Sequence, residues 1–153
     1  MKELYEYREK MIARLAQAAR EFCAACDAFE NPLTQVEGEW NLHQIASHVR
    51  DVEKLVYGDR IRKTLEMENP AFQSFDADSW METNYNQNES LQAILSEFSS
   101  NVDALCQTLK NLPQSAWSRE SSHETMGGEL ALQLWVERGL AHIEEHLQTL
   151  KKA

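Results

Sequence analysis

Apolar residues recur at three- and four-residue steps along four stretches of the chain, with charged and polar residues between them. In the first stretch Leu4, Tyr7, Met11, Leu15, Ala18, Phe22 and Cys26 form one stripe. Residues three and four apart share a helix face, so this spacing predicts a helix from Lys2 to about Phe29. Asn31-Pro32 stops it, because proline disfavours helical geometry in the residue before it. The second stretch opens at Trp40-Asn41 and runs through Leu42, Ile45, Val49, Val52 and Val56 to about Met67. Asn41 suits the N-cap, where its side-chain oxygen accepts an orphan N–H of the first turn. The third starts near Asn88-Glu89 and passes Leu91, Leu95, Phe98, Val102, Leu105 and Leu109 to about Leu112, before Pro113. The last runs from Gly128 to Leu147 and beyond, with Trp135, Val136, Leu140, Ile143, Leu147 and Leu150 on its apolar arc.

Between the second and third helices lies a long connection, Glu68 to Gln87, dense in turn formers and predicted as loop with one short helical turn. A connection of that length suits a crossover that returns the chain to the other end of a bundle, so that these helices run parallel. Its aromatics, Phe72, Phe75, Trp80 and Tyr85, can cover either a pocket or the core. Gln114 to Gly128 reads as a second polar connection. No strand pattern, repeat or linker appears. The expectation is an all-α protein: one domain over residues 1–153, a four-helix bundle with a long crossover between helices 2 and 3.

Composition agrees: 42% hydrophobic residues with only 5 Gly and 3 Pro suits a helical globular chain. The net charge of −10 argues against nucleic acid and against an anionic membrane surface as partners. No apolar run approaches the roughly 20 residues that span a bilayer. The acidic, amphipathic start is unlike a signal peptide, and a cytoplasmic protein is expected. Three cysteines make an odd count. Cys23, Cys26 and Cys106 therefore read as small buried residues rather than a disulfide framework or redox motif.

The candidate chemistry lies in the histidines. His142 and His146 are one helical turn apart at the edge of the last helix's arc, so both rings can reach one metal ion. Gly139 beside them lets another helix approach closely. His48 lies within the apolar arc of the second helix. Each histidine alone fits an ordinary hydrogen-bonded core residue. Together, on facing helices of a bundle, they form a three-imidazole set with coordination positions left open, which is the catalytic pattern. Glu144 and Glu145 fall outside the arc, and His43 and His123 read as exposed residues without a role.

The segments Trp40-Asn41-Leu42-His43-Gln44-Ile45-Ala46-Ser47-His48-Val49-Arg50-Asp51-Val52-Glu53, Asp76 to Trp80, and Ala141-His142-Ile143-Glu144-Glu145-His146-Leu147 together resemble the DinB-like superfamily of metal-binding four-helix bundles. The resemblance covers nearly the whole chain. It implies His48, His142 and His146 as ligands of a divalent metal, with zinc or nickel the leading candidates, and a homodimer. It also implies a small-molecule substrate. The leading activity is thiol S-transfer, in which a low-molecular-weight thiol (bacillithiol, mycothiol or glutathione) attacks a small electrophile in detoxification or stress response. The alternatives are a hydrolase or isomerase working through metal-bound water, and a non-catalytic binding or assembly bundle. Arg50, Arg60, Arg62 and Arg138 are the candidates to receive a thiol cofactor's carboxylates. The chain departs from the family pattern at Ile143, where members often carry Asp, and at Asn101, where many carry Arg.

Overall fold

A computed structural model describes residues 1–153. The first apolar stripe is α1, Lys2–Asp27, which buries Met11, Leu15, Ala18, Phe22 and Cys26. The second is a single rod in three parts: α2, Leu42–Val52; a π-helical turn, Glu53–Tyr57; and α3, Gly58–Glu66. Asn41 caps α2 as expected, accepting from Gln44 N–H while the Gln44 side chain accepts from Asn41 N–H. The crossover carries α4, Ala77–Asn84; the third stripe is α5, Leu91–Lys110; the last is α6, Leu132–Lys152.

Side-chain pairs fix the helix directions. Tyr7 bonds Glu137 and Arg14 bonds Glu144 at 2.7 Å, so α1 and α6 run parallel. Arg50 reaches Glu89 at 2.6 Å and Lys54 reaches Glu97 at 2.8 Å, so the α2–α3 rod and α5 also run parallel. Across the two pairs the order reverses. Asp27 meets Gln92 while Cys106 meets the Ile12 carbonyl, which makes α1 and α5 antiparallel. The expected crossover is therefore present. The core between the helices includes Phe22 packed edge-on against Phe98, with ring centroids 5.5 Å apart.

Three expectations need correction. The chain is mainly helical but not all-α. Strands β1, Gln35–Glu37, and β2, Trp40–Asn41, form an antiparallel hairpin. Strands β3, Ala71–Phe72, β4, Glu120–His123, and β5, Gly127–Ala131, form a second small sheet, with β3 parallel to β4 and β4 antiparallel to β5. Strands this short cannot show an alternating pattern; β1–β2 and β4–β5 are local hairpins, and β3 meets β4 from far away in sequence.

The long connection is also more ordered than a loop. Asp76 accepts from Ser79 N–H at 3.1 Å and starts α4, and Trp80 Nε1 donates to Asp51 on α2 at 3.1 Å. Finally, Gln114–Ser118 forms a 3₁₀ helix, and α6 begins at Leu132, not Gly128. Gly127, at φ +93°, turns the chain into β5 instead. Cys26 and Cys106 are buried free thiols and Cys23 is half-buried. No helix is long and apolar enough to cross a membrane.

Candidate metal centre

The capped start of α2 places His48 near the middle of α2, on the side facing α6. Gly139 lets α6 come close: a Cβ there would lie 3.1 Å from Tyr57 Cβ on the π-turn. The two helices thereby bring His48 Nε2 within 3.1 Å of His142 Nε2. One nitrogen from each of His48, His142 and His146 lies within 4.8 Å of the others. The ring centroids are 4.6 Å apart for His142–His146, 4.9 Å for His48–His146 and 5.0 Å for His48–His142. Trp40 on β2 stands 4.9 Å from His48, and Tyr57 stands 6.0 Å from His142.

Burial holds all three imidazoles neutral. It pushes His48 down to about 4, with help from His146, and His142 down to about 3, with help from His146 and His48. His146 is also lowered by burial, against the opposing fields of Glu37 and Glu145. A neutral imidazole keeps a lone pair free, which is the form a metal requires.

Two further observations fit an ion. Two nitrogens bound tetrahedrally to zinc would be about 3.3 Å apart, close to the His48–His142 separation. His146 Nδ1 is buried without a hydrogen-bond partner, with the Glu37 carboxylate 3.7 Å away. All three donors are nitrogens, so a bound divalent ion would keep its full charge.

Beside the histidines lies a cavity of about 800 Å³, lined by Glu37, Glu39, Trp40, Gln44, Asp78, Met81, Glu82, Tyr85 and His146. Sequence reasoning singled out neither Glu37 nor Glu39, and neither Asp78 nor Glu82. Glu37 sits in a three-residue strand with no readable pattern. The available signal was Trp40: it immediately precedes the cap of the helix carrying His48, so the segment leading into it must pass beside that helix.

The other candidates fall elsewhere. His43 is buried, not exposed: its Nε2 lies 2.6 Å from the Glu89 carbonyl and its Nδ1 2.6 Å from the Tyr85 hydroxyl. A carbonyl only accepts, so Nε2 carries the proton and Nδ1 accepts from Tyr85. His43 thus ties α2 to the end of the crossover that leads into α5. His123 is also buried rather than solvated. It lies in β4, where Nδ1 accepts from Thr125 N–H at 3.2 Å, and it packs 6.3 Å from Trp135.

Glu144 pairs with Arg14. Arg50 is engaged by Asp51, Glu89 and Glu97. Arg60 stacks 4.7 Å from Trp135 and donates to the Gln73 carbonyl, and Arg62 pairs with Asp59. Neither these three arginines nor Arg138 lines the cavity.

The family model of the DinB superfamily matches residues 9–150. No curated protein matches the chain in sequence. Among solved structures the chain is similar to YfiT from Bacillus subtilis, described as a probable metal-dependent hydrolase with an unusual four-helix bundle topology. That likeness has a TM-score of 0.85 at 19% identity and covers 96% of this chain and 85% of that one.

Proposed function

Because the chain belongs to the DinB superfamily, we propose that it is a divalent-metal-dependent enzyme whose ion, zinc or nickel, is held by His48, His142 and His146. The observation that carries this reading is the convergence of three neutral imidazoles from two helices, with their nitrogens inside a 4.8 Å group. A bound ion supplies Lewis acidity, lowering the pKa of a water or thiol that reaches it and polarising a substrate oxygen.

The chain's own residues do the rest. Trp40 and Tyr57 flank the histidine rings and limit the water around them. Glu37 stands 3.7 Å from His146 Nδ1, beyond hydrogen-bond distance, where its charge favours the tautomer protonated at Nδ1 and leaves the opposite nitrogen of that ring for the ion. The cavity has room for a small-molecule substrate.

Hydrolysis, with water as the nucleophile, is the activity we favour. The likeness to YfiT supports it, and so does the cavity lining, which holds no lysine or arginine to receive a thiol cofactor's carboxylates. Thiol S-transfer is the second reading. It is favoured by the all-nitrogen donor set, whose uncompensated positive charge stabilises a thiolate.

The test is elemental analysis of tag-free protein, wild type beside His142→Ala. About one divalent ion per chain is expected in wild type, lost from the variant while its helicity persists. Absence of metal after incubation with zinc and nickel overturns the reading. Turnover of a small electrophile without added thiol favours hydrolysis; strict thiol dependence favours transfer.

A further inference from the structure

We propose that the cavity beside the histidines selects substrates carrying a cationic group, an alkylammonium or guanidinium, and rejects anionic ones. The inference rests on the metal-enzyme reading for calling the occupant a substrate. The selectivity itself follows from the cavity walls.

Four carboxylates face this space, Glu37 and Glu39 from the β1–β2 hairpin and Asp78 and Glu82 from α4. None of the four forms an ion pair with a lysine or arginine. No lysine or arginine lines the cavity either. Some carboxylates elsewhere are paired: Asp51, Glu89 and Glu97 surround Arg50, Asp59 holds Arg62 and Lys63, and Glu144 holds Arg14. The cavity that reaches His146 thus carries four negative charges with no cation in its lining to offset them.

The apolar lining suits the same class of ligand. Trp40 and Tyr85 offer aromatic faces and Met81 a polarizable thioether, surfaces on which the alkyl part of an organic cation rests favourably. The walls are also unequally placed. Glu37 is the carboxylate beside His146, whereas Asp78 and Glu82 stand on a different element, α4 of the crossover. A substrate spanning the cavity would present its reacting group at the histidines and its cation to α4. An anionic thiol would meet repulsion along that path.

The experiment uses three probes of nearly equal shape: phenethylammonium, phenethyl alcohol and hydrocinnamate. Their affinities are measured by chemical-shift titration of the full chain, both metal-loaded and stripped by chelator, with metal content determined on each sample. Stripping matters because hydrocinnamate can ligate an ion directly. The expected result on stripped protein is that phenethylammonium binds at least about tenfold tighter than phenethyl alcohol, roughly one partly screened charge contact. Hydrocinnamate should bind weakest.

The double variant Asp78→Asn, Glu82→Gln keeps the shape and removes two charges. It should lose most of that preference while its metal content stays at the wild-type level. Equal binding of ammonium and alcohol, tighter binding of hydrocinnamate to stripped protein, or a preference untouched by the double variant overturns the proposal. A cation preference in protein that takes up no metal would leave the cavity's selectivity standing and defeat the metal-enzyme reading alone.

Discussion

At 3.7 Å from His146 Nδ1, Glu37 is the carboxylate near enough to orient that ring. Such partners fix the tautomer of a ligating histidine and raise its basicity. Glu37→Gln should therefore weaken metal binding about tenfold, read by competition with a chromogenic chelator, with the fold unchanged. Unaltered affinity would remove Glu37 from the centre.

Glu53 makes a different prediction. It is 5% exposed, has no ion-pair partner, and burial raises its carboxyl from 4.5 to about 7. The folded state thus holds this proton to higher pH than the unfolded state. Stability falls as pH rises from about 4.5 to about 7, and the full cost applies above that. Glu53→Gln should be more stable than wild type at pH 8, by at most about 3 kcal/mol, and nearly equal at pH 4. Denaturant unfolding at both pH values checks this.

Residue-level legibility was uneven for one physical reason. His48, His142 and His146 could be placed because helix periodicity fixes which face a residue occupies. His43 could not, because its burial depends on Tyr85 and Glu89, which only the crossover brings near.

The helices could be read from their stripes, since burying one apolar face dictates a 3.6-residue repeat. The π-turn at Glu53–Tyr57 could not: Val52 and Val56 look like an unbroken helix. Its signature is Gly58, where a Cβ would lie 2.7 Å from the Glu53 carbonyl oxygen. Gly58→Ala must displace backbone, and should destabilise by about 2 kcal/mol even though alanine favours helix. Gly139→Ala meets Tyr57 Cβ at 3.1 Å and should cost less, about 1 kcal/mol. It would, however, push α6 away from His48 and weaken metal binding as well. Thermal melts and chelator competition on both variants separate the two effects. A stabilised Gly58→Ala would mean that the π-turn reverts to α-helix without strain.

For the whole molecule, an ion bound only by the folded state adds stability by mass action. At a free metal concentration about a hundredfold above Kd, the gain is about 2.7 kcal/mol, or roughly 5–10 °C in Tm for a chain of this size. Melting scans with and without chelator should show that difference in wild type and none in His142→Ala.

The parallel pairing of α1 with α6 also bears on how the chain reaches this state. In an up-and-down bundle, each helix can pack against the next as it is made. Here α1 rests chiefly on α5 and α6, the last two long helices. A nascent chain would carry the apolar stripe of α1 uncovered until α5 and α6 have been made, and would complete the histidine cluster only once α6 emerges. Such distant pairing slows folding relative to bundles of nearest neighbours. The first helix is therefore the one most exposed to self-association before the chain is finished, and the segment a chaperone would have most reason to hold.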